Sequence, residues 1–551
     1  MRTIIPAESA RRRQSGLPRF LALPILAAGL AIALPAHTAA AAGFGRPKPN
    51  VLRVGTWRGI PGGFSTIQSA VDAAKPGDWI LVGPGDYHER GDYEYPWSPS
   101  GGGSVYITTP KIHLRGMDRN GVVVDGTMPG AAECSSNPSD QDFGYEGEGR
   151  NGVMVWKAGG VSVENLTACN FLTGSYGAGN QIWWNGGDGS GQIGLGRYFG
   201  QYLSATTTYY QDGQPQGEYG IFVSNASGPG KIIHTYASNM ADSGFYIGAC
   251  PNCNAKLIDA HAENSALGYS GSNSGGYLMI ANSEFDQNKT GISTNSQLGD
   301  PPQPQSGACP DNKRGPHHDG VCTYFAHNYI HDNNNPNVPE SGSADFGPVG
   351  TGMVVAGGRF DAIAGNRVEN NGAWGLMLVP YPDTGTIDTL NNCNGGDILG
   401  PDSPSPLNIL YELGVTCFFD DWGSHVYKNY LSGNGFFGNP TNGDLGDLSN
   451  MEDPGNCWYK NLDPNGLTTT PANLQETNGT CGVPNHGEEL SLTDPFVLQV
   501  ICATGVFGPG FCPAGTNYPQ PTGVVLMPLP PQKTMPNPCA GVPSNPWCPR
   551  T

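Results

Sequence analysis

Four pairs of side chains stand at the same offset ahead of an asparagine: Glu284 and Asp286 before Asn288, Tyr329 and His331 before Asn333, Arg367 and Glu369 before Asn371, Tyr430 and Ser432 before Asn434. If each Asn marks the same turn of a repeating strand, the pairs lie on successive strands ~4.8 Å apart and point to one face, because strand side chains alternate. Two chemistries use such a set. Glycoside hydrolysis takes two carboxyl groups separated by ~5–5.5 Å or ~6.5–9.5 Å, and carboxylates one or two strands apart can meet either range. β-Elimination from a uronide takes a base beside the acidic C5 proton and a cation on the sugar carboxylate. Tyr329, His331 or Arg367 would act there, with Ca2+ held by Asp286 with Glu284 or by Glu369. A plain solvated strand face, whose charges keep the sheet soluble, is the competing reading.

The offset recurs because the chain does. Asn239, Asn264 and Asn288 follow one another at intervals of 25 and 24, and Gly220, Gly244, Gly268 and Gly291 at 24, 24 and 23. Between them lie runs such as Gly220-Ile-Phe-Val and Gly244-Phe-Tyr-Ile, bounded by Gly, Asn, Asp and Ser, which read as strand and turn. A period in the low twenties built of short strands is a solenoid pattern. Asn239, Asn264, Asn288, Asn333, Asn371 and Asn434 are expected to form one structural row, their amides donating and accepting along the axis. Three residues earlier, Tyr236, His261, Phe285, Ile330, Val368 and Leu431 read as the inward column, which makes His261 a core histidine.

Ahead of the repeats, FSTIQSAVDAA (64–74) reads as a short amphipathic helix, with Ser65 capping its first turn, Gln68 returning the bond and Pro76-Gly77 ending it. With the strand that follows, TIQSAVDAAKPGD and ILVGPGDY resemble the N-terminal cap and first coil of the pectate-lyase-like superfamily of right-handed parallel β-helices. The resemblance extends over roughly residues 60–440. It implies an all-β, right-handed parallel β-helix solenoid with an N-terminal capping helix. It leaves the reaction open, since that superfamily holds lyases, hydrolases, epimerases and non-catalytic adhesins. The expected layout is a signal peptide at 1–42, a linker at 43–59, the β-helix at 60–440 with inserts near 172–219, 295–322, 335–350 and 380–416, and a disulfide-rich C-terminal cap and tail at 441–551.

The first insert is dense in aromatics, and Trp183 and Trp184 are assigned with Tyr430 to substrate binding, as rings that stack on sugars; packing of the loop on the wall is the alternative. The loop KRGPHHDG places Lys313, Arg314, His317, His318 and Asp319 together, as a metal site or as a solvated loop. Asp420-Asp421 is similar to the paired aspartates of polygalacturonase-type hydrolases, but the Asn-Thr-Asp, Gly-His-Gly and Arg-Ile-Lys signatures of those enzymes are missing, so no role is carried over.

Composition bounds these readings. With 82 Gly, 48 Pro and 14% charged residues, turns dominate and long helices are few. Arg11-Arg12-Arg13 and Arg19, an apolar run from Phe20 to Leu34 and the small residues AHTAAAAG form a secretory signal, which Pro24 makes a poor membrane anchor. Cleavage near Ala40 to Ala42 removes five Arg and one Glu, moving the formal charge from −19 to about −23. So negative a chain, secreted and extracellular with no membrane span after cleavage, repels nucleic acid. Fourteen Cys in an exported protein imply disulfides. Neighbouring positions pair Cys309 with Cys322, Cys457 with Cys481, Cys502 with Cys512 and Cys539 with Cys548, and Cys250-Pro-Asn-Cys253 reads as a turn staple before a redox motif. The expectation is a monomeric polysaccharide-binding or polysaccharide-cleaving protein, lyase-like or hydrolase-like, with a non-catalytic scaffold or adhesin as the alternative.

Overall fold

The computed structural model describes residues 49–551 apart from 92–101, 176, 300, 311–314, 316–318, 450–453, 485–490, 492, 506–509, 511 and 551. The signal segment, the first part of the linker, and Lys313, Arg314, His317 and His318 lie outside the described residues. From Val51 to Thr470 the chain winds in parallel coils. One face is an eleven-stranded sheet running from Gly103–Ile107 to Thr469–Thr470. The remaining coil strands form a second sheet folded lengthwise. Its long strands Val161–Cys169, Tyr198–Thr206, Gly230–Ser238 and Ala255–Glu263 each bend at a residue of left-handed backbone: Asn165, Tyr202, His234 and Asp259. In later coils the same bend, at Asn282 or His327, separates two short strands. Each coil therefore has three faces: the eleven-stranded sheet first, then the halves of the second sheet before and after the bend.

Asparagine ladders follow both left-handed corners of the second sheet. After the third face, Nδ2 of Asn288 donates to Oδ1 of Asn333 at 3.0 Å, Asn333 to Asn371 at 3.2 Å, Asn371 to Asn434 at 3.1 Å, and Asn434 to Asp444 at 3.0 Å. Asn239 and Asn264 were expected in this row and are one residue out of it. They occupy the left-handed position itself, φ 64° and 52°, as do Gln287, Asp332 and Asn370. Their coils place Met240 and Ser265 at the ladder, where Ser265 N–H donates to Asn288 Oδ1 at 3.0 Å and Met240 N–H to Ser265 Oγ at 3.1 Å. A second row, Asn328, Asn366, Asn429 and Asn461, lines the bend between faces two and three and ends on Gln475. The sequence carries its signal in the five-residue spacing Asn328–Asn333, Asn366–Asn371 and Asn429–Asn434.

The glycine repeat has a steric cause. At the corner entering the first face, a Cβ on Gly268 would lie 2.5 Å from the carbonyl oxygen of Gly291, and one on Gly291 2.5 Å from that of Gly352. Inside the coils runs one apolar core from Val54 to Leu474, with Phe285, Ile330, Val368 and Leu431 fully buried in it. Each such side chain contributes about 1.5–3 kcal/mol.

The boundaries differ from the sequence expectation. Coils begin inside the expected linker, where Val51–Val54 pairs with Trp79–Val82, and run beyond 440, where Gly443–Asp447 pairs with Trp374–Val379 and Cys457–Tyr459 with His425–Tyr427. Residues 172–219 are coil too: Ile182–Asn185 is a strand of the first face and Tyr198–Thr206 of the other two, separated by a long turn that hides the period. The helix spans Ile67–Ala73 and buries Ile67, Ala70 and Val71. Its cap is Thr66, not Ser65; the Glu89 carboxylate accepts from Ile67 N–H at 2.5 Å and Gln68 N–H at 3.1 Å, while Gln68 bonds the backbone of Tyr106. A distant carboxylate thus does what the local capping box was expected to do.

All fourteen Cys pair: the five neighbouring pairs above, with Cys134–Cys169 and Cys393–Cys417 in addition. The helix Pro495–Thr504 lays Phe496 against Trp374 of the first face. The tail then runs back along the coils as a strap. Asn517 bonds Asn439, Thr522 bonds Asn337, Met527 bonds Asn239, Gln532 bonds Asn120, and Trp547 bonds the carbonyl of Ile60.

Candidate functional site on the third face

Parallel register sets two outward columns on the third face. One reads Tyr236, His261, Glu284, Tyr329, Arg367, Tyr430, and the other Glu263, Asp286, His331, Glu369, Ser432. The six residues assigned to metal and proton chemistry by spacing, Glu284, Asp286, Tyr329, His331, Arg367 and Glu369, are therefore neighbours, and Tyr430 stands beside them. His261 joins them. It was expected inside, but Ala262 pairs with Phe285 in the core, which turns His261 and Glu263 outward.

The polar groups of the strip are cross-linked. His261 Nε2 lies 2.6 Å from Asp286 Oδ1. Tyr236 donates its hydroxyl to Glu263 at 2.5 Å and meets His261 edge-on at 5.4 Å between ring centroids. His331 sits between Asp332, 2.7 Å from Nδ1, and Glu284, 3.2 Å from Nε2, and stacks on Tyr329 with centroids 3.8 Å apart. Tyr329 donates its hydroxyl to Glu369 at 3.2 Å; Arg367 donates Nε–H to the other oxygen of Glu369 at 2.7 Å and holds its guanidinium 4.5 Å over the Tyr329 ring.

Solvent reaches the crest of this arrangement more than its base: the Arg367 side chain is 59% exposed and that of Glu369 12%. Burial lowers the pKa of His261, but the hydrogen bond and charge of Asp286 outweigh it and leave the imidazole above its ordinary value. Burial and the Glu369 carboxylate hold the Tyr329 phenol up, so it keeps its proton. His261, Glu284 and Asp286 present ligand atoms within 4.8 Å of one another. Two carboxylates and an imidazole fall short of the six to eight oxygens Ca2+ takes, so solvent and a substrate oxygen would have to complete its shell.

Trp183 and Trp184 do not reach the strip, because their strand belongs to the first face. Trp184 points into the core and is fully buried, which removes it from substrate binding. Trp183 faces outward but donates its indole N–H to Ser224 at 3.0 Å and stacks on Phe222 at 4.8 Å, in a row that continues to Tyr246. Beside that row are two carboxyls that the sequence reading did not single out. Asp242 accepts from Tyr219 and Ser243, each at 2.7 Å, and burial pushes it up to about 6. Burial pushes Glu218, which accepts from Ser341, up to about 7. Asp421 is fully buried and bonded by Asn456 at 2.8 Å, inside the coil end where no polymer reaches.

No family model matches the chain, and no curated protein matches it. Among solved structures, it is similar to the A-module of the Azotobacter vinelandii mannuronan C-5 epimerase AlgE4, with 12% identity over 72% of this chain and 89% of that one and a TM-score of 0.39. It is similar also to a PL6 family polysaccharide lyase from Pseudopedobacter saltans, with 12% identity, 75% and 85% coverage and a TM-score of 0.34. The pectin methylesterase PemA from Erwinia chrysanthemi is similar at 14% identity, 70% and 90% coverage and a TM-score of 0.29. By the order of its coils and its stacked parallel faces, the chain is a parallel β-helix.

Proposed function

We propose that the protein is a secreted, monomeric polysaccharide-processing protein whose third face acts on an acidic polymer by uronide β-elimination. The observation that carries this reading is the Tyr329–His331 stack under the Arg367 guanidinium, which puts a phenol, an imidazole and an exposed cation in one patch. Arg367 binds the sugar carboxylate and stabilises the negative charge that develops on it when C5 loses its proton. His331, oriented by Asp332 at Nδ1, takes that proton at Nε2 once Ca2+ has drawn the Glu284 carboxylate, 3.2 Å away, off that nitrogen. Tyr329 gives its proton to O4 as the C4–O4 bond breaks and the C4–C5 double bond forms. Ca2+ between Glu284, Asp286 and the substrate would offset repulsion from the acidic chain, and Tyr430, 42% exposed, offers a ring for the adjoining sugar. Export is supported by the leading segment and the seven disulfides, and among the described residues no helix is long and apolar enough to cross a membrane.

The second reading is a non-catalytic scaffold or adhesin. The pairing of every strip carboxylate with a neighbouring donor favours it. Incubation with neutral and acidic polysaccharides, followed by reducing ends and by the ultraviolet absorbance of unsaturated uronides, separates the readings. Elimination products support the lyase, new reducing ends without unsaturation support a hydrolase, and binding without either supports the scaffold.

A further inference from the structure

Toward the N-terminal end of the same face, Asp86, His88 and Asp125 bring ligand atoms within 4.8 Å of one another. The strands Gly85–Tyr87 and Val122–Asp125 pair Asp86 with Val123 and Tyr87 with Val124, and the next residues in line are His88 and Asp125. His88 Nδ1 is 3.0 Å from the carbonyl oxygen of Thr127. A carbonyl only accepts, so Nδ1 carries the hydrogen and Nε2 of the neutral ring presents a lone pair. That lone pair faces Asp86 Oδ2 at 3.1 Å. Two lone pairs at this distance need a cation between them, a proton or a metal ion. An imidazole fixed through its other nitrogen by a backbone carbonyl is the form in which histidines hold metals.

Asp125 is equally fixed. Its Oδ1 accepts from Thr127 N–H and Oγ–H, each at 2.8 Å, and its Oδ2 from Cys134 N–H at 2.6 Å, which leaves Oδ2 a second lone pair. The disulfide Cys134–Cys169 ties this loop to the coil. The neighbouring guanidinium groups of Arg90 and Arg150 bond Asp142, at 3.1 and 2.9 Å. Asp125 is fully buried, while the side chains of His88 and Asp86 are 13% and 26% exposed, so one side of the cluster opens to solvent.

We propose that Asp86, His88 and Asp125 bind a divalent metal ion of the zinc class, with the remaining coordination open to water. With an imidazole nitrogen among its protein ligands the site suits Zn2+, whereas the Ca2+ invoked on the strip takes only oxygens, from Glu284, Asp286 and the substrate. The site is separate from the Ca2+ invoked on the strip and does not depend on it.

The test is calorimetric titration of Zn2+ into the metal-free secreted protein, in a Glu284→Gln, Asp286→Asn background that silences the other cluster. One Zn2+ per chain is expected, weakened about 100-fold by His88→Ala and by the near-isosteric Asp86→Asn. In parallel, the side-chain nitrogen resonances of His88 should show Nδ1 protonated and Nε2 shifted on adding Zn2+. Zinc affinity unchanged in both variants overturns the proposal. So does a His88 ring that carries hydrogens on both nitrogens before and after zinc, because a proton is then the cation facing Asp86.

Discussion

Asn288 donates its side-chain amide to Oδ1 of Asn333 at 3.0 Å, and the backbone N–H of Asn288 reaches the same oxygen at 3.3 Å. One rung thus satisfies two groups of the coil before it, and its own Nδ2 bonds the carbonyl of Phe285 at 3.0 Å. Asn333→Ala removes all three of these bonds, leaving the Asn288 amide with only its bond to the Ala262 carbonyl, and should cost about 2–4 kcal/mol. Asn264→Ala, at a left-handed position outside the row, should cost about 1 kcal/mol. Urea unfolding of the two variants distinguishes them, and equal losses would contradict the ladder.

Stability should be greatest in mild acid. Burial pushes Asp361 and Glu218 up to about 7 and Asp242 up to about 6. A carboxyl with a native pKa above its unfolded value binds its proton more tightly when folded, so its stabilisation is complete below the unfolded value and fades as pH rises through the native one. His261, despite its burial, is raised by Asp286 and has the same sign: its contribution is present below the unfolded value near 6.5 and lost above its native pKa. The melting temperature should therefore fall between about pH 5 and pH 8. Asp361→Asn should flatten that slope, and a melting temperature that rises over the interval would refute the assignment.

On the strip, Tyr329→Phe and His331→Ala should each lower kcat about 100-fold if they move protons. Tyr430→Ala should act mainly on KM. Asp286→Ala should abolish any response to Ca2+ removal, because it takes away a ligand and the partner of His261. Full elimination activity in Tyr329→Phe and His331→Ala together would remove the third face from the reaction.

The strap predicts a local defect. Asn239 bonds Met527 in both directions, at 3.0 and 2.8 Å, and the Trp547 ring packs with Leu81 and Met117, with the Arg53 guanidinium 5.8 Å from its centre. Trp547→Ala should cost the end of the strap about 3–5 kcal/mol. Limited proteolysis should then cut within 517–549 while the coils melt almost as before. If the coils lost stability together with the tail, the strap would be part of their cooperative unit.

By itself the sequence determined the features that repeat locally. Glycines one period apart signalled a corner where a Cβ meets the next coil's carbonyl, four asparagines signalled a ladder, and alternating residues before them signalled the strip from Glu284 to Tyr430. Cysteines close in sequence likewise announced their own partners. Tertiary structure decided what local pattern does not encode. Ser265 does the work of an asparagine in its coil, so laying Asn264 over Asn288 slipped the register by one residue and turned His261 the wrong way. The long turn after Asn185 hid a coil, and with it the fact that Trp184 faces the core. The strap on Asn239, the Glu89 carboxylate on the helix at Ile67, and the pairing of Cys134 with Cys169 join residues by folding alone. Stacking repeats at a fixed spacing leaves a period in the chain; contacts across variable loops leave none, since nothing ties their sequence separation to their distance in space.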